Sequence, residues 1–223
     1  MYKLIGIDEA GKGPVIGSMF IGFAIVNLEN GVNDINSFHN YLKEMGVKDS
    51  KKLTEKSRLK VYEKLANELD IKYVQLTPFM IDSNNKKGDT LNNLEINAIV
   101  SILNEQKPNL VIIDALTSNP EKFKESILKK LNFECKIIAE NKADDKYEIV
   151  GAASIIAKQL RENEIQDIKK KIGIDFGSGY PSDSRTHDFL LKNYENKEFD
   201  FIFRKSWQTY KDVSKKNKTI LDY

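Results

Sequence analysis

The order of apolar and polar positions along the chain predicts that strands and helices alternate. Strand character is expected in the runs 4–7, 20–26, 71–76, 109–114 and 135–139, in which apolar and β-prone residues predominate. Apolar residues at helical spacing predict helices that begin after Thr54, after Thr90, near residue 120 and near Glu148. This alternation is typical of an α/β fold with a mixed central sheet flanked by helices.

The last of these helices carries alanines at 152, 153 and 157, which would let it lie close against the sheet. No internal repeat and no long Gly/Pro/Ser linker divides the 223 residues, a length that can bury a sizeable core. We therefore expect one main domain over residues 1–205 and a basic, helical C-terminal segment over residues 206–223.

Charge changes this picture only near the C-terminus. The chain has 35 basic and 33 acidic residues, so its bulk charge does not indicate a polyanionic partner. Residues 204–218, however, contain six basic residues and one acid, Asp212. Basic tails often contact nucleic acid, and a solvated lysine-rich helix end explains the charge equally well.

Composition excludes several kinds of site. Cys135 is the only cysteine, which rules out an intrachain disulfide and a cysteine-based zinc site. The two histidines, His39 and His187, are far apart in sequence, so oxygen ligands are the default for any metal. No apolar stretch reaches the roughly 18 residues that a membrane span needs. We expect a cytoplasmic protein, without a membrane partner and most simply a monomer.

The first strand-like run leads into the chemically richest segment, Gly6-Ile7-Asp8-Glu9-Ala10-Gly11-Lys12-Gly13-Pro14. Two carboxylates, Asp8 and Glu9, are followed by two glycines and a lysine. Glycine lets backbone amides approach a ligand closely because it has no Cβ. The segment suggests a metal-and-phosphate site, and the alternative is a strand end with a solvated turn.

The same segment nearly matches a phosphate-binding P-loop, since Gly6, Gly11 and Lys12 have the spacing G-x-x-x-x-G-K. Gly13, however, occupies the position of the Ser or Thr that would hold magnesium, and two anions lie inside the loop. The following residues, 14–17, are also a poor start for a helix. A P-loop nucleotide hydrolase is therefore a disfavoured alternative.

Acids recur where apolar strands end, at Asp8-Glu9, at Asp114 and at Asp144-Asp145. Sites in α/β sheets lie outside the carboxyl ends of the strands, so these acids could converge. Two carboxylates at 4 Å repel by about 4 kcal/mol at an effective dielectric near 20, so a cluster needs a cation. Oxygen ligands favour magnesium or manganese. A helix-cap role is the alternative for Asp114 and a better one for Asp145.

Neighbouring side chains on a strand point to opposite faces. Asp8 and Glu9 can therefore share one site only if the chain bends away at Glu9, which the following glycines would permit.

Together these motifs resemble ribonuclease HII, in its archaeal more than its bacterial form. The resemblance rests on the segment 6–14 and on Asp49-Ser50-Lys51-Lys52-Leu53-Thr54, Ile113-Asp114-Ala115, Lys142-Ala143-Asp144-Asp145, Ala152-Ala153-Ser154-Ile155-Ile156-Ala157-Lys158 and Gly179-Tyr180-Pro181-Ser182-Asp183. It implies a ribonuclease H-like fold and an endonuclease of DNA replication and repair. Such an enzyme hydrolyses the RNA strand of RNA/DNA hybrids and cuts 5′ of ribonucleotides in duplex DNA. It uses two Mg²⁺ or Mn²⁺ ions and leaves 3′-hydroxyl and 5′-phosphate ends.

The resemblance also assigns residues. It makes catalytic metal ligands of Asp8, Glu9, Asp114 and Asp144. It gives Gly11, Lys12 and Gly13 the contact with the ribose 2′-hydroxyl and its phosphate, and gives Tyr180 the sugar of the following nucleotide. It also predicts phosphate contacts for Lys51 and, less surely, for Arg204 and Lys205. The family usually has Arg where this chain has Lys12; lysine keeps the charge but lacks the planar fork, and we expect activity to survive.

Two further hypotheses remain open from sequence. A non-catalytic nucleic-acid-binding module of the same fold is the alternative to an enzyme. Asn217, Ile220 and Tyr223 have the spacing of a peptide that binds a sliding clamp, although the usual glutamine is replaced and one aromatic is missing. A frayed tail is the alternative for that segment.

Overall fold

The computed structural model describes residues 1–47, 53–115 and 117–221, with the backbone alone from residue 216 onward. The strands are β1 Tyr2–Ala10, β2 Met19–Leu28, β3 Asp70–Leu76, β4 Leu110–Asp114 and β5 Lys136–Glu140. The helices are α1 Ile35–Glu44, α2 Glu55–Glu68, α3 Pro78–Lys86, α4 Leu91–Gln106, α5 Pro120–Leu128, α6 Glu148–Ile172, α7 Ser184–Asn193 and α8 Gln208–Leu221. Short 3-10 turns occur at Gly31–Asp34, Ala143–Asp145 and Lys197–Phe199. Among the helices described, none has the length and apolar character needed to cross a membrane.

The strands form one mixed sheet in the order β3-β2-β1-β4-β5. β1 pairs antiparallel with β2 and parallel with β4, which in turn pairs parallel with β5. β4 is buried along its whole length, as its continuous apolar sequence predicts. The predicted mixed sheet flanked by helices is confirmed, and the three strands that end on acids are the three mutually parallel ones.

Helix starts follow the cap residues. The Thr54 hydroxyl accepts a hydrogen bond from the Ser57 amide at 3.2 Å, and the Thr90 hydroxyl accepts one from the Asn93 amide at 3.2 Å. Both residues were predicted as N-caps, and both satisfy an amide that lacks a partner within its helix.

Close packing of α6 on the sheet depends on small residues on both sides. A Cβ added to Gly22 of β2 would lie 2.6 Å from the Ala153 carbonyl oxygen of α6. One added to Gly6 of β1 would overlap the backbone of Ile149. The prediction that small residues bring this helix close to the sheet is confirmed.

The chain forms two compact units that alternate along the sequence. The first unit contains Met1–Ala10, Phe20–Val74 and Glu95–Leu160, and the second contains Gly11–Met19, Gln75–Leu94 and Arg161–Tyr223. Each has a hydrophobic core of its own, and Val213 of α8 is buried in that of the second unit. The boundary that we place at residue 205 stays a prediction.

Candidate active site

Three of the four carboxylates predicted to form the site come together in the first unit. Asp8 lies near the end of β1, Asp114 ends β4, and Asp144 lies in the 3-10 turn after β5. One carboxylate oxygen from each lies within 4.8 Å of the other two. Parallel pairing of β1, β4 and β5 explains this, because it brings their carboxyl ends to the same edge of the sheet.

A sharp turn after β5 places Asp144. Lys142 has a φ of +60°, a left-handed backbone conformation that residues other than glycine adopt infrequently. The Asp114 carboxylate accepts a hydrogen bond from the Ala143 amide at 3.2 Å and so holds this turn. Asp114 therefore does not serve as a helix cap, and Asn119 caps α5 instead.

Glu9, the fourth predicted ligand, is not one of the three. The bend expected at Glu9 is wrong: β1 continues to Ala10, and Glu9 pairs with Ile21 of β2. Strand geometry then directs the Glu9 and Asp8 side chains to opposite faces of the sheet. Glu9 is buried, and its amide donates to the Asp8 carboxylate at 2.7 Å. A metal-ligand role for Glu9 stays a prediction.

Burial and like charge make this cluster a strong candidate for a metal centre. The pKa of Asp8 is raised from its ordinary 3.8 to about 7, chiefly by burial; the charges of Asp114 and Asp144 contribute to this rise, while the Ser154 hydroxyl and the Glu9 amide oppose it. A divalent cation would relieve both effects at once. The ligands are all carboxylate oxygens, which suits Mg²⁺ or Mn²⁺.

The glycine loop, residues 11–13, belongs to the second unit. Gly11 has a φ of +84°, and a Cβ there would lie 2.9 Å from the Ser18 carbonyl oxygen and 2.8 Å from Cδ of Arg161. Gly11 is therefore required by the backbone itself. At Gly13 the nearest atom to an added Cβ would be Cε1 of Tyr180, at 3.7 Å, which is an ordinary contact distance.

The chain leaves this loop without forming a helix. Residues 11–19 are all described, and none of them is helical. The Ile16 backbone bridges to Phe203, and the Gly17 amide donates to the Ile202 carbonyl at 2.9 Å. β2 then begins at Met19. A P-loop presents its phosphate site at a helix N-terminus. The strand–loop–strand arrangement therefore excludes the P-loop alternative.

Arg204 is buried, whereas the phosphate contact predicted for it requires an exposed side chain. It is fully buried, and its guanidinium donates to the carbonyl oxygens of Gly11, Lys12 and Gly17 at 2.6, 3.1 and 2.8 Å. Burial lowers its pKa to about 10, so it stays charged near neutral pH. The expectation that Arg204 holds phosphate is wrong, because a buried guanidinium cannot reach a nucleic acid backbone. Its apolar sequence neighbours, Ile202 and Phe203, were the available signal of burial.

Tyr180 lies beside the loop, with 38% of its surface exposed. Arg161 of α6, almost fully buried, places its Cζ atom 4.9 Å from the centre of the Tyr180 ring. The Arg161 guanidinium also donates to the Ser178 carbonyl at 2.7 Å. Arg161 was not singled out from sequence, although a cation directly after the mainly apolar first half of α6 was visible there.

The turn that carries Tyr180 is held by side chains of α7 and its cap. The Gly179 amide donates to the Thr186 hydroxyl at 3.0 Å, and the Ser178 amide donates to the Asp183 carboxylate at 2.8 Å. That amide contact is the main reason that the pKa of Asp183 falls to about 2. Asp183 therefore serves the turn and the start of α7.

The sequence model of the family described as Ribonuclease HII matches residues 5–210. The chain belongs to the ribonuclease HII family. It is 42% identical to the ribonuclease HII of Pyrococcus horikoshii over 227 residues, which cover 99% of this chain and 98% of that one. The family predicted from the sequence motifs is confirmed. This ribonuclease HII is accordingly a metal-dependent ribonuclease H, an enzyme and not a non-catalytic binding module.

Solved structures agree with the fold. The crystal structure of the ribonuclease H2 from Pyrococcus horikoshii OT3 superposes with a TM-score of 0.85 at 40% identity, and the match covers 97% of this chain and 99% of that one. The structure of the PCNA:RNase HII complex from Archaeoglobus fulgidus gives a TM-score of 0.74 at 34% identity, over 85% of each chain. The predicted ribonuclease H-like fold is confirmed.

Some predicted residues of this ribonuclease HII lie outside the described part of the chain. Lys51 falls in residues 48–52, and Tyr223 follows the last described residue. The backbone of α8 passes through Asn217 and Ile220, whose side chains are not described. Lys205 forms an ion pair with Asp200 at 2.7 Å, so its phosphate contact also stays a prediction.

Proposed function

We propose that this ribonuclease HII hydrolyses the RNA strand of RNA/DNA hybrids and cuts duplex DNA 5′ of single embedded ribonucleotides. The products would carry 3′-hydroxyl and 5′-phosphate ends, and the activity would serve DNA replication and repair in the cytoplasm. The observation that carries the proposal is the convergence of Asp8, Asp114 and Asp144, with ligand oxygens within 4.8 Å of one another. Such a carboxylate cluster is the arrangement that metal-dependent phosphodiester hydrolysis requires.

Asp8, Asp114 and Asp144 would hold the metal. Glu9, which the resemblance makes a fourth ligand, would join them only with its side chain turned towards the face of the sheet that carries Asp8. When bound, two Mg²⁺ or Mn²⁺ ions supply a water of lowered pKa and stabilise the charge on the leaving 3′-oxygen. The protein contributes by holding its carboxylates in place before the metal arrives. The hydrogen bond from the Ala143 amide to Asp114 supports this role, because it links two of the ligand-bearing segments.

Substrate recognition would depend on the glycine loop and Tyr180. The 2′-hydroxyl is the group that distinguishes RNA from DNA, and the backbone amides of Gly11, Lys12 and Gly13 would bind it. The Lys12 ammonium would attract the adjacent phosphate as a point charge. Tyr180 would pack on the sugar of the next nucleotide, and its position beside Gly13 supports this. Lys51 would add a phosphate contact that carries no base information.

Cleavage of an end-labelled duplex with one ribonucleotide tests the proposal. We expect one cut on the 5′ side of the ribonucleotide with Mg²⁺ or Mn²⁺, and none with chelator or with an all-DNA duplex. Asp114→Asn should abolish turnover while hybrid binding remains. Cleavage that persists in Asp114→Asn, or that needs no metal, would contradict the metal centre proposed here.

We further infer that the C-terminal segment binds a sliding clamp while the enzyme itself is a monomer. The spacing of Asn217, Ile220 and Tyr223 supports this, as does the similarity to the Archaeoglobus fulgidus protein that was solved with PCNA. Deletion of residues 217–223 should weaken binding to the clamp and leave cleavage of a short duplex unchanged. Equal clamp affinity of the full-length and shortened proteins would reject the idea.

A further inference from the structure

Two residues that follow one another closely in the chain hold three successive carbonyl groups of the glycine loop. The Arg204 guanidinium donates to the Gly11 oxygen at 2.6 Å and to the Lys12 oxygen at 3.1 Å. The indole N–H of Trp207 donates to the Gly13 oxygen at 3.3 Å. We call Arg204 and Trp207 the carbonyl brace. Every peptide group from Gly11 to Pro14 thus has a fixed orientation.

Peptide planarity converts these carbonyl contacts into a direction for the amides. In a trans peptide the C=O of one residue and the N–H of the next point in opposite directions. When the Gly11 oxygen faces Arg204, the Lys12 N–H must point away from it. The Lys12 oxygen fixes the Gly13 N–H in the same way. The brace therefore directs two consecutive amide donors away from the protein core that surrounds Arg204.

The side chain at position 204 suits this task for reasons of geometry. A guanidinium has five N–H donors in one rigid plane, whereas a lysine ammonium is a single point on a flexible stem. Arg204 uses this plane to reach three carbonyls at once, including that of Gly17 at 2.8 Å. Its Cζ atom also lies 5.0 Å from the centre of the Trp207 ring, so the two members of the brace hold each other.

We propose that Arg204, with Trp207, is a positioning residue that orients the Lys12 and Gly13 amides for the ribose 2′-hydroxyl without touching the substrate. This inference rests on the function proposed above. Arg204 itself is fully buried and cannot contact nucleic acid. It acts through the loop, by removing the orientational freedom that the glycines would otherwise have.

The decisive measurement is a ratio of two affinities. We would compare Arg204→Met, which keeps the length of the side chain but removes every donor, with the wild type. Fluorescence anisotropy in chelator, where no cleavage occurs, gives the Kd for a duplex with one ribonucleotide and for the same duplex made entirely of DNA. We expect the wild type to bind the ribonucleotide-containing duplex more tightly than the all-DNA duplex. In Arg204→Met this ratio of affinities should fall about tenfold, the effect of about one good hydrogen bond.

A merely structural role would not give this result. Partial unfolding lowers both affinities by the same factor, so it leaves their ratio unchanged. Lys205→Met is the matched control, because it removes one positive charge at the next residue. Even if Lys205 holds phosphate, its loss weakens both duplexes alike, and we expect a wild-type ratio.

A smaller change at Trp207 gives a second variant in case Arg204→Met fails to fold. Trp207→Phe keeps an aromatic ring over Arg204 and removes one donor, and we expect the preference to fall about threefold. If folded Arg204→Met or Trp207→Phe has the same ratio of affinities for the two duplexes as the wild type, the proposed role of the carbonyl brace is wrong. Absence of any ribonucleotide preference in the wild type instead contradicts the proposed recognition by the loop, so the two failures are distinguishable.

Discussion

Gly11 and Gly13 stand two residues apart, yet the structure gives them different reasons to be glycine. Gly11 combines a φ of +84° with two close neighbours, one of which is the Ser18 carbonyl. We expect Gly11→Ala to lower the free energy of unfolding by about 1–3 kcal/mol, because a Cβ there is strained and crowded. Gly13→Ala should change it by less than about 0.5 kcal/mol, as its Cβ meets only Tyr180. Urea unfolding of both variants measures the difference.

Cleavage assays complete this comparison. Gly13→Ala should fold normally but cut the ribonucleotide-containing duplex poorly, because its methyl group occupies space between the loop and Tyr180. Equal stability of the two variants, or full activity of Gly13→Ala, would show that this account of the loop is wrong.

Asp8 gives the metal-free protein a specific pH dependence. Its pKa is raised from 3.8 to about 7 in the folded state, so the folded state holds a proton that the unfolded chain releases at lower pH. This term favours folding fully below about pH 4 and is lost as the pH rises through about 7. As the pH rises from about 5 to about 7.5, this loss lowers the free energy of unfolding by about 2–3 kcal/mol.

Urea unfolding in chelator at these two pH values measures the effect. We expect wild type to lose stability relative to Asp8→Asn as the pH rises, since the amide cannot ionise. If the difference between the two proteins is the same at both pH values, the folded Asp8 side chain does not titrate in this range.

Which single residues could be predicted follows from what surrounds them in sequence. Asp8, Asp114 and Asp144 stood out because each follows an apolar run, and strand ends collect sites. Arg204 was misassigned because neighbouring lysines made the whole segment look like a solvated surface. Charge patterns do not say which cation turns inward, and only the contacts with Gly11 and Lys12 show that this one does.

At the scale of elements, α6 joins the buried core to the candidate site. It packs on the sheet through Gly6 and Gly22, and its N-terminus follows the turn that carries Asp144. Helices can approach a sheet this closely only where neither surface has a large side chain. The placement of Asp144 therefore depends on small residues elsewhere in the first unit.

Gly22→Ala tests this dependence. The new Cβ would lie 2.6 Å from the Ala153 carbonyl oxygen and push α6 away from β2. We expect a loss of about 1–3 kcal/mol in the free energy of unfolding, the usual cost of overpacking. Gly13→Ala is the control, since it adds the same methyl group where there is room. A Gly22→Ala protein as stable as that control would show that α6 has space to move.

Element prediction succeeded where one signal was strong. Runs rich in apolar and β-branched residues revealed the five strands of the described residues, and Thr54 and Thr90 marked two helix starts. The helices α1, α3 and α7 were not predicted. Thr77 caps α3 and Pro78 opens it, a usable start signal, but the polar residues that follow in α3 weaken its apolar periodicity. Strand order was beyond reach, because pairing of β1 with β4 depends on contacts distant in sequence.

On the scale of the whole molecule, the two compact units divide the chemistry. The carboxylates that would hold metal belong to the first, while the glycine loop, Tyr180 and the carbonyl brace belong to the second. The chain passes from one to the other between Ala10 and Gly11. The residues proposed for catalysis and those proposed for substrate selection thus belong to units that each have a hydrophobic core of their own.

A carboxylate cluster that serves metal binding should cost stability when no metal is present. Asp114→Asn removes one of the three like charges, and we expect the metal-free variant to be as stable as wild type or more so, by about 1 kcal/mol. Addition of Mg²⁺ or Mn²⁺ should raise the Tm of wild type, because a ligand that binds only the folded state stabilises it. It should leave Asp114→Asn almost unchanged.

Asp145→Asn provides the matched comparison for this experiment. It makes the same chemical change next to Asp144 but outside the three-carboxylate cluster. We expect its Tm to rise with metal as the wild-type Tm does. Thermal unfolding of the three proteins in chelator and in excess metal gives all six values in one series. If metal stabilises Asp114→Asn as strongly as wild type, the ions bind elsewhere, and the carboxylates of β1, β4 and the turn after β5 do not form the metal centre.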